Sequence, residues 1–158
     1  MIGFADSHSF LIVEGVGGLM VPLTAHADVS DLIRLFDLPV LLVARSGLGT
    51  LNHTLLTLHH GARLGIRFLG VLFNRTVPSI SLADKTNPAT LAERTDVPLL
   101  GTLSYFKKSG KSGERYSSVR KIIDGKDELM KSAILRWING SNVTRVSECG
   151  RSYVGLLE

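Results

Sequence analysis

Glu14 closes a run of apolar residues, Leu11–Val13, and opens onto Gly15, Gly17 and Gly18. A carboxylate at the end of a buried strand, beside a glycine turn, suits Mg²⁺ held against nucleotide phosphates. Magnesium takes hard oxygen ligands, uses only one or two carboxylates, and leaves its other positions to phosphates and water. Glycines let backbone N–H groups come close to phosphate. The competing reading is a tight strand-to-loop turn with a solvated glutamate, and the local sequence leaves both open.

Three other places carry residue types that do chemistry. In "ARSGLGTLNHTLL" (residues 44–56), Gly47 and Gly49 loosen a strand–helix connection, and Thr50 or Asn52 would cap the helix that follows. A helix start attracts anions, carboxylates included, although an ordinary capped connection accounts for the same residues. Asn74, in "LFNRT", stands at a strand end, where its amide has the donors and the acceptor to read an adenine edge; a plain turn residue is the alternative. His59 and His60 are adjacent on a helix and point in different directions, with no companion at ligand spacing, so no zinc site is expected. Gly110-Lys111-Ser112 has the ending of a P-loop, but the first glycine of that motif would fall on Tyr105, whose bulk obstructs the phosphate-wrapping turn. The N-x-[ST] matches at Asn52, Asn139 and Asn142 have meaning only in a secreted protein.

These residues must be positioned by the elements between them. The pattern predicts a strand at residues 10–13, then a helix opened by Ser30 and Asp31 and stopped before Pro39. Val40–Ala44 is apolar throughout, as in a strand covered on both faces. Leu51, Leu55, Leu58 and Leu64 recur at roughly helical spacing up to Gly65, a C-cap. A strand over 67–74 follows, then a helix with Asn87 as N-cap and Pro88 in its first turn, then a last strand in "VPLLGTLSY". This alternation predicts an α/β fold: a parallel sheet with flanking helices. Ligands of such sheets sit beyond the carboxyl ends of the strands, where Glu14, the Arg45–Gly49 turn, Asn74 and the Gly101–Tyr105 turn would converge.

Composition bounds the reading. The chain has 158 residues, 44% hydrophobic and 20% charged, which suits one folded body. No apolar run reaches the ~18 residues of a membrane span, and the start lacks the basic and apolar regions of a signal peptide. A lone Cys149 excludes an internal disulfide and fits a reducing compartment, so a cytoplasmic location is expected. The net charge of +4 belongs to the stretch after Phe106, since residues 1–106 hold a slight acidic excess. Neither nucleic acid nor a membrane is expected as partner. The chain therefore divides into a body, 1–106, and a basic extension, 107–158, with a short amphipathic helix around Asp127–Ile138.

Taken in order and spacing, "VEGVGGLMVPL", "DLPVLLVARSGLGTLNHTLLTL", "GVLFN" and "VPLLGTL" resemble the ATP-dependent dethiobiotin synthases, over about Phe10 to Phe106. The resemblance implies a P-loop-NTPase-like fold, a homodimer, and closure of a ureido ring on 7,8-diaminopelargonate with CO₂ and ATP, assisted by Mg²⁺. It makes Glu14 a Mg²⁺ ligand and Glu14, Gly15, Val16 and Gly17 the segment touching ATP phosphates. Asn74 becomes the adenine reader with Arg75 beside it, and Ser104, Tyr105 and Phe106 a second nucleotide-contacting turn. Leu48, Gly49, Leu51 and Asn52 align with the helix start that grips the substrate carboxylate across the dimer interface. The family's P-loop, catalytic lysine and a further metal-binding aspartate have no counterpart here, so no catalytic residue is carried over. The expectation is the second half of a synthase, from a truncated gene, a split gene or a mis-called start. A non-catalytic remnant that dimerises or binds nucleotide weakly would share these features. A related amidoligase or partition-type ATPase would share the fold, though "GTLNHTLLTL" fits the synthases better.

Overall fold

The computed structural model describes residues 10–105 and 151–157. Its elements in chain order are β1 (Phe10–Val16), α1 (Val29–Phe36), β2 (Val40–Arg45), α2 (Thr50–Arg63), β3 (Phe68–Asn74), α3 (Leu82–Ala92), β4 (Leu99–Leu103) and β5 (Arg151–Leu157). Every pairing is parallel, and the strands lie in the order β1-β5-β2-β3-β4. The α/β fold with a parallel sheet and flanking helices is therefore the one the alternation predicts.

The core forms where the apolar periods of strand and helix meet. Val40, Leu42 and Ala44 of β2 are buried, as are Val71 and Phe73 of β3. Ile33 of α1, Leu58 of α2 and Leu91 of α3 join the same cluster. On the other face of β2, Leu41 and Val43 are only half-buried and Arg45 is exposed, so the expectation of a strand covered on both faces is met more fully by β3, buried from Leu69 to Phe73. After β1 the chain turns through Gly17 and Gly18, at φ +93 and +100. Side chains rarely adopt that backbone region. A Cβ on Gly17 would also sit 3.0 Å from Val21 Cγ2.

Three expectations are corrected. First, β5 lies between β1 and β2, so the boundary at Phe106 does not separate residues 151–157 from the sheet. A central strand from the far end of the chain is recognised by its neighbours, not by its own pattern. The helix expected at Asp127–Ile138 and the Gly110-Lys111-Ser112 motif fall outside the described residues. Second, α3 starts at Leu82, not at Asn87. Ser81 and Asp84 form a reciprocal capping box, with Ser81 N–H donating to Asp84 Oδ2 at 2.8 Å and Asp84 N–H to Ser81 Oγ at 3.2 Å. Asn87 and Pro88 therefore lie inside the helix. Third, neither Thr50 nor Asn52 caps α2; its N-cap is Gly49 at φ +94, with no side-chain hydrogen bond. In α1 the cap is Asp28, which accepts from the N–H groups of Ser30 and Asp31.

Gly70 of β3 is held small by β4: a Cβ there would lie 2.6 Å from Leu100 Cγ. Gly70→Ala is expected to cost ~1–3 kcal/mol by overpacking. In a Leu100→Ala background the same substitution should cost much less, as read by denaturant unfolding of both pairs.

The Asp84 carboxyl is held down to about 2, against an ordinary 3.8, first by the Ser46 hydroxyl, then by the Ser81 hydroxyl and N–H, with Arg75 adding to this and burial opposing it. Hydrogen bonds from Ser30 and nearby backbone also lower Asp28. A depressed acid stabilises the fold above its unfolded-state pKa and loses that contribution as pH falls through the folded-state value. Stability should therefore decline between pH 3.8 and about 2. Asp84→Asn should flatten that acid limb while lowering stability at neutral pH, measured by thermal unfolding across the pH series.

Candidate functional site

Because all strands run parallel, their carboxyl ends share one edge, and the residues following β2, β3 and β4 are neighbours there. Arg45 of β2 is in register with Asn74 of β3, and Asn74 with Leu103 of β4. The Ser46 N–H donates to Asn74 O at 3.1 Å, and the Arg75 N–H to Leu103 O at 3.0 Å. Asn74 is half-buried, whereas Ser104 and Tyr105, directly after β4, are exposed. The structure thus brings Asn74, Arg75, Ser104, Tyr105 and the turn at Leu48–Asn52 to one stretch of rim. Phe106 lies outside the described residues.

Glu14 is placed differently. It pairs with Gly155, which pairs with Leu41, four residues before Arg45. Ideal sheet spacings put Glu14 ~13 Å down the strands from the Arg45–Asn74 row and ~14 Å across the sheet from Asn74. β1 also continues two residues past it, to Val16. The Glu14 side chain is exposed, and no group of three His, Cys, Asp or Glu residues among the described residues is arranged to hold a metal. One exposed carboxylate fits as a single hard-oxygen ligand to a magnesium ion carried by nucleotide phosphates, and does not build a metal site by itself.

The start of α2 has a distinct electrostatic character. A helix begins with N–H groups that have no partner within it, and they carry partial positive charge. Side chains usually supply the acceptor; here Gly49 has none to offer. Leu48, Gly49, Asn52 and His53 are exposed around this bare helix end, and Leu51 is half-buried. A hollow of about 260 Å³ opens beside it, lined by Arg45, Ser46, Leu48, Thr76, Ser79 and Asp84 among others. Such a rim presents amide donors and one guanidinium to an anion. Arg45 also turns back, its Nη2 lying 3.4 Å from Leu48 O.

Sequence reasoning missed the polar cluster underneath. Ser46 Oγ donates to Asp84 Oδ1 at 2.6 Å. Asn87 Nδ2 donates to Gly47 O at 2.9 Å. Arg75 Nε approaches Asp84 Oδ1 to 4.0 Å and, though buried, donates no hydrogen bond to any described residue. The S-x-x-D spacing of Ser81 and Asp84 was a visible capping signal. The tie from Asp84 to Ser46 spans 38 residues and left no local trace.

A family model described as "AAA domain" matches residues 3–112. The chain is 46% identical over 96 residues to the ATP-dependent dethiobiotin synthetase of Bacillus licheniformis, covering 61% of this chain and 41% of that protein. It is 46% identical over 112 residues to the synthetase of Thermodesulfovibrio yellowstonii, covering 66% and 47%. It is 47% identical over 91 residues to the synthetase of Anaeromyxobacter sp. strain K, covering 58% and 41%. The chain thus spans a little under half the length of these curated relatives. With its strand-end rim lying within the matched residues, the chain belongs to the AAA-domain family, and its similarity runs to ATP-dependent dethiobiotin synthetases.

Proposed function

We propose that this chain carries part of an ATP- and Mg²⁺-dependent ligase that closes 7,8-diaminopelargonate with CO₂ to dethiobiotin, acting as a homodimer in the cytoplasm. One amine adds to CO₂ and loses a proton, giving a carbamate. A carbamate oxygen takes the γ-phosphoryl group of ATP, releasing ADP. The second amine then attacks the carbamate carbon, and phosphate leaves as the ring closes. Bound magnesium supplies neutralisation of phosphate charge, and Glu14 would be its ligand from this chain.

The observation that carries this reading is the uncapped start of α2, bonded through Ser46 to the end of β3. Leu48–Asn52 would receive the carboxylate of the diamino acid across the dimer interface, on the Leu51 and Asn52 amides, with Asn52 adding its side chain; the Thr50 N–H is already bonded to Gly47 O. Asn74, one strand over, would meet the adenine edge, flanked by Arg75 and by Ser104 and Tyr105. Gly15, Val16 and Gly17 would pass the phosphates beside Glu14. Exposed Leu48 and Leu56, 88% and 61% accessible, support a second copy packing over the α2 side.

The reading is tested by supplying the part of the Bacillus licheniformis synthetase that this chain does not match as a separate polypeptide, and assaying dethiobiotin formation. Product should require both polypeptides, ATP and Mg²⁺. Asn52→Ala should raise the KM for the diamino acid about 10- to 150-fold, the range of a lost charge-assisted hydrogen bond. Glu14→Gln should lower turnover, with partial recovery in excess Mg²⁺. Absence of product from a complex shown to form would overturn the proposal in favour of a non-catalytic nucleotide-binding chain.

A further inference from the structure

Asp84 and Asn87 stand three residues apart on α3, so they share one helix face. Both reach to the same place, the turn between β2 and α2. Asp84 takes the Ser46 hydroxyl, and Asn87 donates to the carbonyl of the next residue, Gly47. The three residues are deeply placed: Ser46 is 7% accessible, Asn87 8% and the Asp84 side chain 5%. Asp84 Oδ1 also faces Arg75 Nε, and the Ser46 N–H is bonded to Asn74 O. A circuit results in which the end of β3, the turn after β2 and the first turn of α3 hold one another.

Capping alone does not account for it. Ser81 and Asp84 already satisfy each other at the start of α3. The bonds to Ser46 and Gly47 lead away from α3, into a segment otherwise held by Ser46 N–H to Asn74 O, Thr50 N–H to Gly47 O and Arg45 to Leu48 O. Gly47 and Gly49 make that segment conformationally permissive, Gly49 is at φ +94, and α2 begins there without a side-chain cap. Left loose, the first amides of α2 would sample many directions, and a ligand would bear the cost of ordering them.

We propose that Asp84 and Asn87 are positioning residues: they clamp the Ser46–Gly47 turn and so aim the Leu51 and Asn52 amides of α2 at the carboxylate of a substrate held across the dimer interface. This rests on the functional reading above. Neither residue touches substrate. Their effect is pre-organisation of a binding group, so it falls on the KM for the diamino acid rather than on the chemical step.

Two measurements on the full chain and the reconstituted pair decide it. In amide hydrogen exchange, Asn87→Ala and Ser46→Ala should speed exchange at Thr50 and His53, whose N–H groups bond Gly47 O and Gly49 O, by about five- to tenfold. Val71 and Phe73 in β3 should keep their rates. In kinetics, both variants should raise the KM for the diamino acid by a similar factor, with kcat and the KM for ATP nearly unchanged. Ser46→Thr, which keeps the hydroxyl, should restore the original values. Uniformly faster exchange, unchanged exchange at Thr50 and His53, a fall confined to kcat, or failure of the threonine rescue would each overturn the clamp. If the unmutated pair makes no dethiobiotin, the functional reading fails, and the exchange pattern alone then decides whether the clamp exists.

Discussion

The Asp84 carboxylate is the interaction on which the arrangement of the rim depends. A buried carboxylate is costly unless its oxygens are hydrogen-bonded, and this one is answered from two segments at once: Ser81 at its own helix start and Ser46 at the end of β2, with Arg75 nearby. Each answer constrains an element. Ser81 fixes where α3 begins, Ser46 fixes how the chain leaves β2, and the Arg75 guanidinium is held over the end of β3. Because the sheet is parallel, those three points lie on one edge, and a single buried charge can set all of them.

From that constraint the chemistry of the rim follows. With the turn after β2 fixed, α2 starts at a glycine that offers no side-chain cap, and beyond the Thr50 N–H, bonded to Gly47 O, the next amides stay open. Uncapped amides, a neighbouring guanidinium and an open hollow suit an anion more than a cation. The family resemblance assigns the diamino acid carboxylate to Leu48–Asn52. Glu14 belongs to a different part of the sheet. Its register sets it well below the Asn74 row, so any site that used both would have to span phosphate and base of an extended nucleotide.

Much of this was legible in the sequence wherever the signal is local. The strands β2 and β3 announced themselves as unbroken apolar runs, and α2 by its recurring leucines. The positions of Asn74 and Leu48–Asn52 at strand and helix ends followed from those runs. The start of α3 was misread because Asn87-Pro88 has the look of a cap and first turn, while the reciprocal bonds of Ser81 and Asp84 determine where the helix starts. The caps proposed at Thr50 and Asn52 failed because Gly49 takes a left-handed conformation one residue earlier. β5 and the Ser46–Asp84 bond were invisible for a shared reason: each joins residues far apart in the chain, and no periodicity encodes a distant partner.

The account's central claim is that the rim at the ends of β2 and β3 binds the diamino acid carboxylate at the start of α2 and the nucleotide at Asn74. Amide chemical-shift mapping on the isotopically labelled full chain tests it most directly. Adding 7,8-diaminopelargonate should shift Leu48–His53 in a saturable way, and adding Mg²⁺–ATP should shift Asn74–Thr76 and Ser104–Tyr105. Saturable shifts confined to the opposite edge of the sheet, around Arg34, Asp37 and Arg67, or no saturable shifts with either compound, would contradict it.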